Sequence, residues 1–102
     1  MIVVRDSVNV LFEIEVREQG EPLDVSGAST KQIILERPNS REKVALTASF
    51  TNTGTDGRIY ARSTAGDLAE IGQWKCYAYV AKGSYIVYTP PSSFTVLDRK
   101  ID

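Results

Sequence analysis

Histidine does not occur in this sequence, and cysteine and tryptophan each occur only once. Without histidine the chain lacks the usual general base near neutral pH, the usual partner of a catalytic nucleophile, and the commonest metal ligand. A single cysteine cannot form an internal disulfide bond, and without histidine it cannot complete a zinc site of the usual kinds. The composition therefore predicts a non-enzymatic protein with no catalytic residues, no metal site and no cofactor.

An excess of charge of one sign is also missing. The chain has 12 basic and 13 acidic residues, a net charge of −1, and no block of like charges. Binding to nucleic acid requires a basic stripe or patch, so we expect no nucleic-acid partner. The apolar start at Ile2, Val3 and Val4 is cut short by Arg5 and Asp6, which is too short for a signal peptide or a membrane span. We therefore expect synthesis in the cytoplasm and no membrane insertion.

Three weaker chemical signals each have a structural interpretation that is favoured. Glu13 and Glu15 are formally a pair of acids, but they alternate with apolar residues and belong on the solvated face of a strand. Asp56 lies in a turn that lacks the spaced acidic ligands of a calcium-binding loop. The glycines are scattered over turns and never precede the Lys-Ser/Thr step of a phosphate-binding loop.

The hydrophobic pattern predicts an all-β fold in a single domain. With 102 residues there is length for one domain, and no segment shows helical periodicity over three turns. About seven short strands are separated by turn signals every 8–12 residues or so, which is typical of an antiparallel β-sandwich. We assign the domain to residues 1–102, with residues 1–6 as a candidate N-terminal arm and residues 98–102 as a charged tail.

The predicted strands alternate apolar and polar residues between turns that are rich in glycine, proline and asparagine. They cover Val8–Val16, Lys31–Arg37, Lys43–Thr51, Arg58–Ser63, Gln73–Ala81, Tyr85–Thr89 and Ser93–Leu97. The predicted turns and connections cover Gln19–Pro22, Leu23–Ala28, Pro38–Ser40, Asn52–Gly57 and Lys82–Ser84, with a single helical turn over Ala65–Glu70 capped by Ser63 or Thr64.

The rare residues fall on one strand and point to the core. Trp74, Cys76, Ala78 and Val80 share one face, so Cys76 is expected to be a buried apolar side chain rather than a reactive thiol. We expect Leu68 and Ile71, in the preceding turn, to cover an open end of the core. The predicted structural core comprises Trp74, Cys76, Leu68, Phe12, Phe50 and Phe94.

Two groups of residues are candidates for an interface. Tyr77 and Tyr79 lie opposite the core face of the tryptophan strand, where tyrosine provides a large rigid contact area. The alternative is that these tyrosines only reflect the preference of tyrosine for strands. Ile2, Val3 and Val4 precede the first long strand and are a candidate strand for addition to a neighbouring chain.

Two segments of the chain combine strands and turns in a recognisable order. The first is LFEIEVREQGEPLDVSGAS at 11–29, with a strand, a Gly-Pro turn and the step Leu-Asp-Val-Ser-Gly-Ala. The second is NTGTDGRIYARSTAGDLAEIGQWKCYAYV at 52–80, with a Gly-Thr-Asp-Gly turn and a Leu-x-x-x-Gly-x-Trp strand. Together they resemble the immunoglobulin-like domains of tailed-phage virion proteins, and in particular the N-terminal domain of phage baseplate upper proteins. Baseplate upper proteins continue beyond this domain into receptor-binding regions, so positions at the neck, along the tail or on the capsid surface stay open as well.

The resemblance implies an immunoglobulin-like β-sandwich that is a structural component of a virion. It implies other virion proteins as partners, multiple copies in an assembly, and no catalytic residues. An alternative is an extracellular immunoglobulin-like module that binds carbohydrate or a host surface. In that case binding would use the loops at Asn52–Gly57 and Lys82–Ser84, with Tyr60 and Tyr85 as an aromatic platform.

Overall fold

A computed structural model describes residues 2–98, and within this range the protein is all-β, with eleven strands and no helix. Met1 and residues 99–102, which include most of the predicted charged tail, lie outside the described residues. The strands are β1 (Ile2–Val4), β2 (Leu11–Glu15), β3 (Arg17–Glu18), β4 (Glu21–Pro22), β5 (Thr30–Glu36), β6 (Lys43–Thr47), β7 (Ser49–Phe50), β8 (Arg58–Arg62), β9 (Gly72–Lys82), β10 (Tyr85–Tyr88) and β11 (Ser92–Leu97).

The strands form a six-stranded sheet, a three-stranded sheet and a short hairpin. The six-stranded sheet has the order β1-β11-β9-β5-β6, and β10 pairs with the second half of β9. The three-stranded sheet has the order β2-β8-β7, and β3 pairs with β4. Every pair is antiparallel except β1 with β11, which is parallel. The strands predicted for the domain therefore pair antiparallel, and the one parallel pair among the described residues involves β1, which lies in the predicted N-terminal arm.

Within the described residues there are more strands than predicted, because Lys43–Thr51 divides in two and because β1, β3 and β4 form outside the predicted strands, while Val8–Val16 is shortened. The segment Lys43–Thr51 divides at Ala48, where the chain leaves the six-stranded sheet and joins the three-stranded one. The segment Val8–Val16 becomes regular only at Leu11, since Asn9 has a left-handed backbone with φ of 65° and Val8 is exposed. The hydroxyl of Ser63 accepts the Val10 N–H at 3.0 Å in place of a strand partner.

One apolar core joins the inner faces of the two large sheets. Trp74, in the six-stranded sheet, stacks on Phe94 at 5.7 Å between ring centroids, and Phe94 meets Phe12 of the three-stranded sheet at 5.2 Å. The predicted core residues Trp74, Cys76, Leu68, Phe12 and Phe94 are all buried. Phe50 is only half-buried, because β7 is an edge strand, and the Lys31 ammonium lies 4.5 Å from the centre of its ring.

The predicted helical turn over Ala65–Glu70 is wrong. Residues 65–68 form a hydrogen-bonded turn, in which the Asp67 carboxylate accepts the Thr64 N–H at 2.6 Å and the Thr64 hydroxyl at 2.9 Å. Gly66 has a φ of 86°, which a right-handed helix does not allow. Leu68 is fully buried as predicted, whereas Ile71 is exposed and does not cover the core.

The predicted turns lie near the expected positions, but two are shorter than predicted, since Glu21–Pro22 forms β4 and Lys82 ends β9. Gln19 and Gly20 have φ values of 52° and 81° and form the two-residue loop of the β3–β4 hairpin, and Gly83-Ser84 joins β9 to β10. In the connection from Leu23 to Ala28, the Asp24 carboxylate accepts both the hydroxyl and the N–H of Ser26, and these bonds lower the pKa of Asp24.

Candidate interaction surfaces

The outer face of the six-stranded sheet carries an aromatic patch, here called the tyrosine face and made of Tyr77, Tyr79, Ile86 and Tyr88. Alternation along β9 directs Trp74 and Cys76 inward, and therefore directs Tyr77 and Tyr79 outward, as predicted. The Tyr88 ring lies 5.1 Å from that of Tyr79 and 6.3 Å from that of Tyr77. Because the three rings pack together, Tyr77 and Tyr79 are half-buried, while 63% of Tyr88 and 54% of Ile86 stay exposed.

Tyr88 and Ile86 lie on the neighbouring strand, which the sequence already indicated as part of an exposed aromatic patch, although only Tyr77 and Tyr79 were singled out as interface residues. The two-residue loop Gly83-Ser84 fixes the register of the hairpin and so decides which residues of that strand join the patch. With that loop, Tyr88 lies opposite Tyr79, and Ile86 lies opposite Ala81. The tyrosine face is thus a product of one hairpin and does not depend on distant strand pairing.

An apolar row extends from the tyrosine face to the edge of the sheet. Ile34 on β5 lies opposite Tyr77 on one side and opposite Ala45 of β6 on the other. Ile34 is half-buried, although it points away from the core, which agrees with its position beside Tyr77. One row of the outer face is therefore apolar from Tyr77 across to the edge strand, with Gln32 and Glu36 in the rows beside it.

The predicted N-terminal arm forms β1 at the opposite edge of the same sheet. Val3 is buried against the core, whereas Ile2 and Val4 are exposed on the outer face, with Val4 opposite the exposed Leu97. The Arg5 guanidinium donates to the Asp98 carboxylate at 2.7 Å just beyond this pair. In this structure the strand belongs to the sheet of its own chain, and its addition to a neighbour stays a prediction.

A groove of about 170 Å³ lies between the two sheets, where β2 faces β11. Its lining includes the apolar side chains of Phe12, Ile14 and Phe94, the two serines Ser92 and Ser93, and Cys76. Burial raises the pKa of the Cys76 thiol to about 11, so little thiolate forms near neutral pH. This supports the prediction that Cys76 is a structural residue.

We expect Cys76 to react slowly with iodoacetamide in the folded protein. At pH 8 the raised pKa reduces the thiolate fraction on the order of 100-fold relative to an ordinary cysteine, and burial slows access further. Mass spectrometry of samples quenched over time, with and without urea, measures both rates. Equal rates in the folded and the unfolded chain would contradict this assignment.

The acidic residues that were considered for catalysis or metal binding form hydrogen bonds and ion pairs within the fold. Glu13 accepts the Thr51 hydroxyl at 2.8 Å, and Glu15 forms ion pairs with Arg17 and Arg58. Asp56 accepts the side-chain amide of Asn52, which is the main cause of its lowered pKa. Within residues 2–98 no group of three or more potential metal-binding side chains comes together.

The residues of the carbohydrate-binding alternative do not form a common platform. Tyr60 lies on β8 of the three-stranded sheet, whereas Tyr85 begins β10 of the six-stranded sheet. The phenol of Tyr85 donates a hydrogen bond to Glu18 in the β3–β4 hairpin, and this bond raises the Tyr85 pKa. Tyr85 therefore links two hairpins at one end of the protein.

A comparison with protein-family models gives no match, and a comparison with curated proteins gives none. Among the described residues, no helix has the length and apolar character needed to cross a membrane.

Proposed function

We propose that this chain is an immunoglobulin-like structural component of a tailed-phage virion, without enzymatic activity, that binds other virion proteins through its sheet faces and edges. The observation that carries the docking role is the tyrosine face: a cluster of three aromatic rings on the outer face of the larger sheet, in which Tyr88 and the neighbouring Ile86 are exposed. Tyrosine and other aromatic residues are enriched at the centres of protein interfaces, where they provide large rigid contacts.

The strand order supports an immunoglobulin-like interpretation of the all-β fold. In that fold strands A, B, E and D form one sheet, and strands C, F and G form the other. The first strand departs from this order, since β1 pairs with β11. The order β2-β8-β7 corresponds to B-E-D, and the order β5-β9-β11 corresponds to C-F-G. β6 then corresponds to the additional strand C′, and the change of sheet at Ala48 corresponds to the passage from C′ to D.

The two segments that resemble phage virion domains are hydrogen-bonded to each other in the structure. This supports treating their order and spacing as one combined resemblance. The Val16 N–H donates to the Gly57 carbonyl at 2.8 Å, and the Val25 N–H donates to the Gly54 carbonyl at 2.9 Å. The Leu-Asp-Val-Ser-Gly-Ala step and the Gly-Thr-Asp-Gly turn therefore form one hydrogen-bonded unit. A resemblance in both segments together is more specific than one in either turn alone.

We expect the double variant Tyr79→Ser, Tyr88→Ser to stay folded but to enter phage particles poorly. Both rings lie on the outer face, so their loss leaves the core between the sheets intact, while the aromatic contact area is removed. Particles produced with the variant gene should contain at least about tenfold less of the chain by quantitative mass spectrometry, as for the loss of interface anchors.

The matched control is Tyr60→Ser, which removes a half-buried tyrosine from the outer face of the other sheet. Normal incorporation of the Tyr79, Tyr88 double variant would contradict the docking role of the tyrosine face. A glycan array distinguishes the virion component from the carbohydrate-binding alternative. Specific glycan binding by the wild-type chain that is lost in Tyr60→Ser would favour the recognition module.

A further inference from the structure

β6 is an edge of the six-stranded sheet, and alternate residues along it present free backbone groups. The Arg37 N–H donates to the Glu42 carbonyl at 2.8 Å, and the Ala48 N–H donates to the Lys31 carbonyl at 3.0 Å. In an antiparallel ladder the bonded residues alternate, so Val44 and Leu46 also direct their backbone groups to β5. Lys43, Ala45 and Thr47 therefore direct their N–H and C=O groups away from the sheet.

Among the sheet edges that the structure describes, β6 combines a length of five residues with few features that prevent pairing with another chain. Natural edges are protected by charges, proline, bulges or short length. β1 has three residues and β7 has two, β2 carries Glu13 and Glu15, and β10 runs into Pro90 and Pro91. β6 has five residues with a single charge at its start, and its other two outer-face residues, Ala45 and Thr47, are small and exposed.

We propose that two copies of this chain pair through their β6 strands, antiparallel about a two-fold axis at Ala45. In this register Ala45 lies opposite the partner's Ala45, and Lys43 lies opposite the partner's Thr47. It is the one register that pairs all five residues of both strands. It also brings together the outward-directed backbone groups of residues 43, 45 and 47. Residues 43 and 47, and the two Ala45 residues, then become the hydrogen-bonded pairs of an antiparallel ladder.

The side chains suit this register on both faces of the sheet. On the outer face, each Lys43 lies opposite a threonine, so no like charges oppose one another. On the inner face, Val44 lies opposite the partner's Leu46, and the half-buried Val44 gains apolar cover at the edge of the core. The occupant that fits this edge is thus a second copy, because the strand is complementary to itself.

The paired strands form one continuous sheet with the two tyrosine faces on the same side. A two-fold axis perpendicular to the sheet leaves both outer faces directed the same way. The apolar row from Tyr77 through Ile34 to Ala45 then continues into the same row of the second copy. The proposed pairing is argued from the β6 edge and not from the proposed virion role. The dimer proposal and the virion proposal can therefore be contradicted independently.

The decisive variant is Ala45→Pro. The Ala45 N–H faces outward, so proline removes no hydrogen bond from the ladder with β5, and proline is tolerated at such edge positions. Sedimentation equilibrium of the full chain over a wide concentration range should show a monomer–dimer equilibrium for the wild type and for Ala45→Ser. Ala45→Pro should weaken the association at least about tenfold, since both central donors of the pair are lost. Circular dichroism checks the fold of each variant.

The register is tested by two substitutions at one exposed position. Thr47→Glu places a carboxylate opposite the partner's Lys43 and should tighten the dimer, whereas Thr47→Lys opposes two ammonium groups and should weaken it. A wild-type chain that stays monomeric at all concentrations would overturn the proposal. A dimer that persists in folded Ala45→Pro, or a shift in the same direction for both Thr47 variants, would also overturn it. If Ala45→Pro does not fold, the Thr47 pair decides the question alone.

Discussion

Replacement of Trp74 by alanine should lower the free energy of unfolding by about 3–5 kcal/mol. Trp74 is fully buried, its ring stacks on Phe94, and its Nε1–H donates to the Glu70 carbonyl at 2.9 Å. Truncation leaves a cavity between the two sheets and removes the donor of that hydrogen bond. Because small domains are stable by only about 5–15 kcal/mol, this is a large share of the total. Urea denaturation followed by circular dichroism measures the change.

Trp74→Phe is the matched control for that variant. Phenylalanine keeps most of the apolar volume but loses the Nε1–H, so the expected loss is smaller, about 1–3 kcal/mol. A Trp74→Ala variant that loses under about 1 kcal/mol, the range of ordinary surface substitutions and small shape changes, would show that the two sheets are not held together at this ring.

Gly57→Ala should destabilise the fold by about 3 kcal/mol or more, in the range of severe backbone and packing defects. Gly57 has a φ of 76°, and an added Cβ would lie 2.5 Å from the Val16 carbonyl oxygen and 2.9 Å from that of Leu23. These oxygens belong to backbone held by hydrogen bonds: the Val16 N–H donates to Gly57, and the Leu23 N–H donates to Val16. The clash therefore adds to the usual cost of a left-handed residue.

Gly20→Ala separates the two contributions. Gly20 has a similar φ of 81°, but nothing lies within 4 Å of the position that an added Cβ would take. Its substitution should therefore cost only the left-handed conformation, about 1–2 kcal/mol. Equal losses for the two variants in urea denaturation would show that the Val16 and Leu23 carbonyls do not crowd Gly57.

The alternation of β9 could be predicted from the sequence because its two faces differ so strongly. Trp74, Cys76, Ala78 and Val80 are buried, and Tyr77 and Tyr79 lie on the other side. A strand shows a period of two whenever one of its faces is buried. The pattern can therefore be recognised without knowing which strands are its neighbours. The core residues and the outward direction of the two tyrosines follow from that pattern alone.

The change of sheet at Ala48 could not be predicted from the same pattern. Val44, Leu46, Ala48 and Phe50 point toward the core on both sides of the change, since the core lies between the sheets that β6 and β7 join. The alternation therefore continues unbroken while the pairing partner changes from β5 to β8. Pairing between distant segments, such as β1 with β11, is likewise absent from a local pattern.

The alternation also predicted a first long strand, Val8–Val16, that is longer than the observed β2. Val8 and Val10 continue the apolar series of Phe12 and Ile14, yet Val8 is exposed. Asn9 adopts a left-handed backbone conformation with a positive φ, and its N–H donates to the Ser63 carbonyl at 2.8 Å. Asparagine tolerates this conformation more readily than most residues. The apolar alternation therefore runs through Asn9, although the backbone conformation of Asn9 prevents the strand from extending to Val8.

The claim that this chain is a structural part of a phage particle is tested most directly by quantitative mass spectrometry of particles. Particles released by lysis of the cells that encode the chain would be purified on a density gradient and washed with salt. We predict that peptides of this chain remain with the particles, in a fixed ratio to the major capsid protein and in multiple copies per particle. Recovery of the chain only in the particle-free fractions would contradict the proposal.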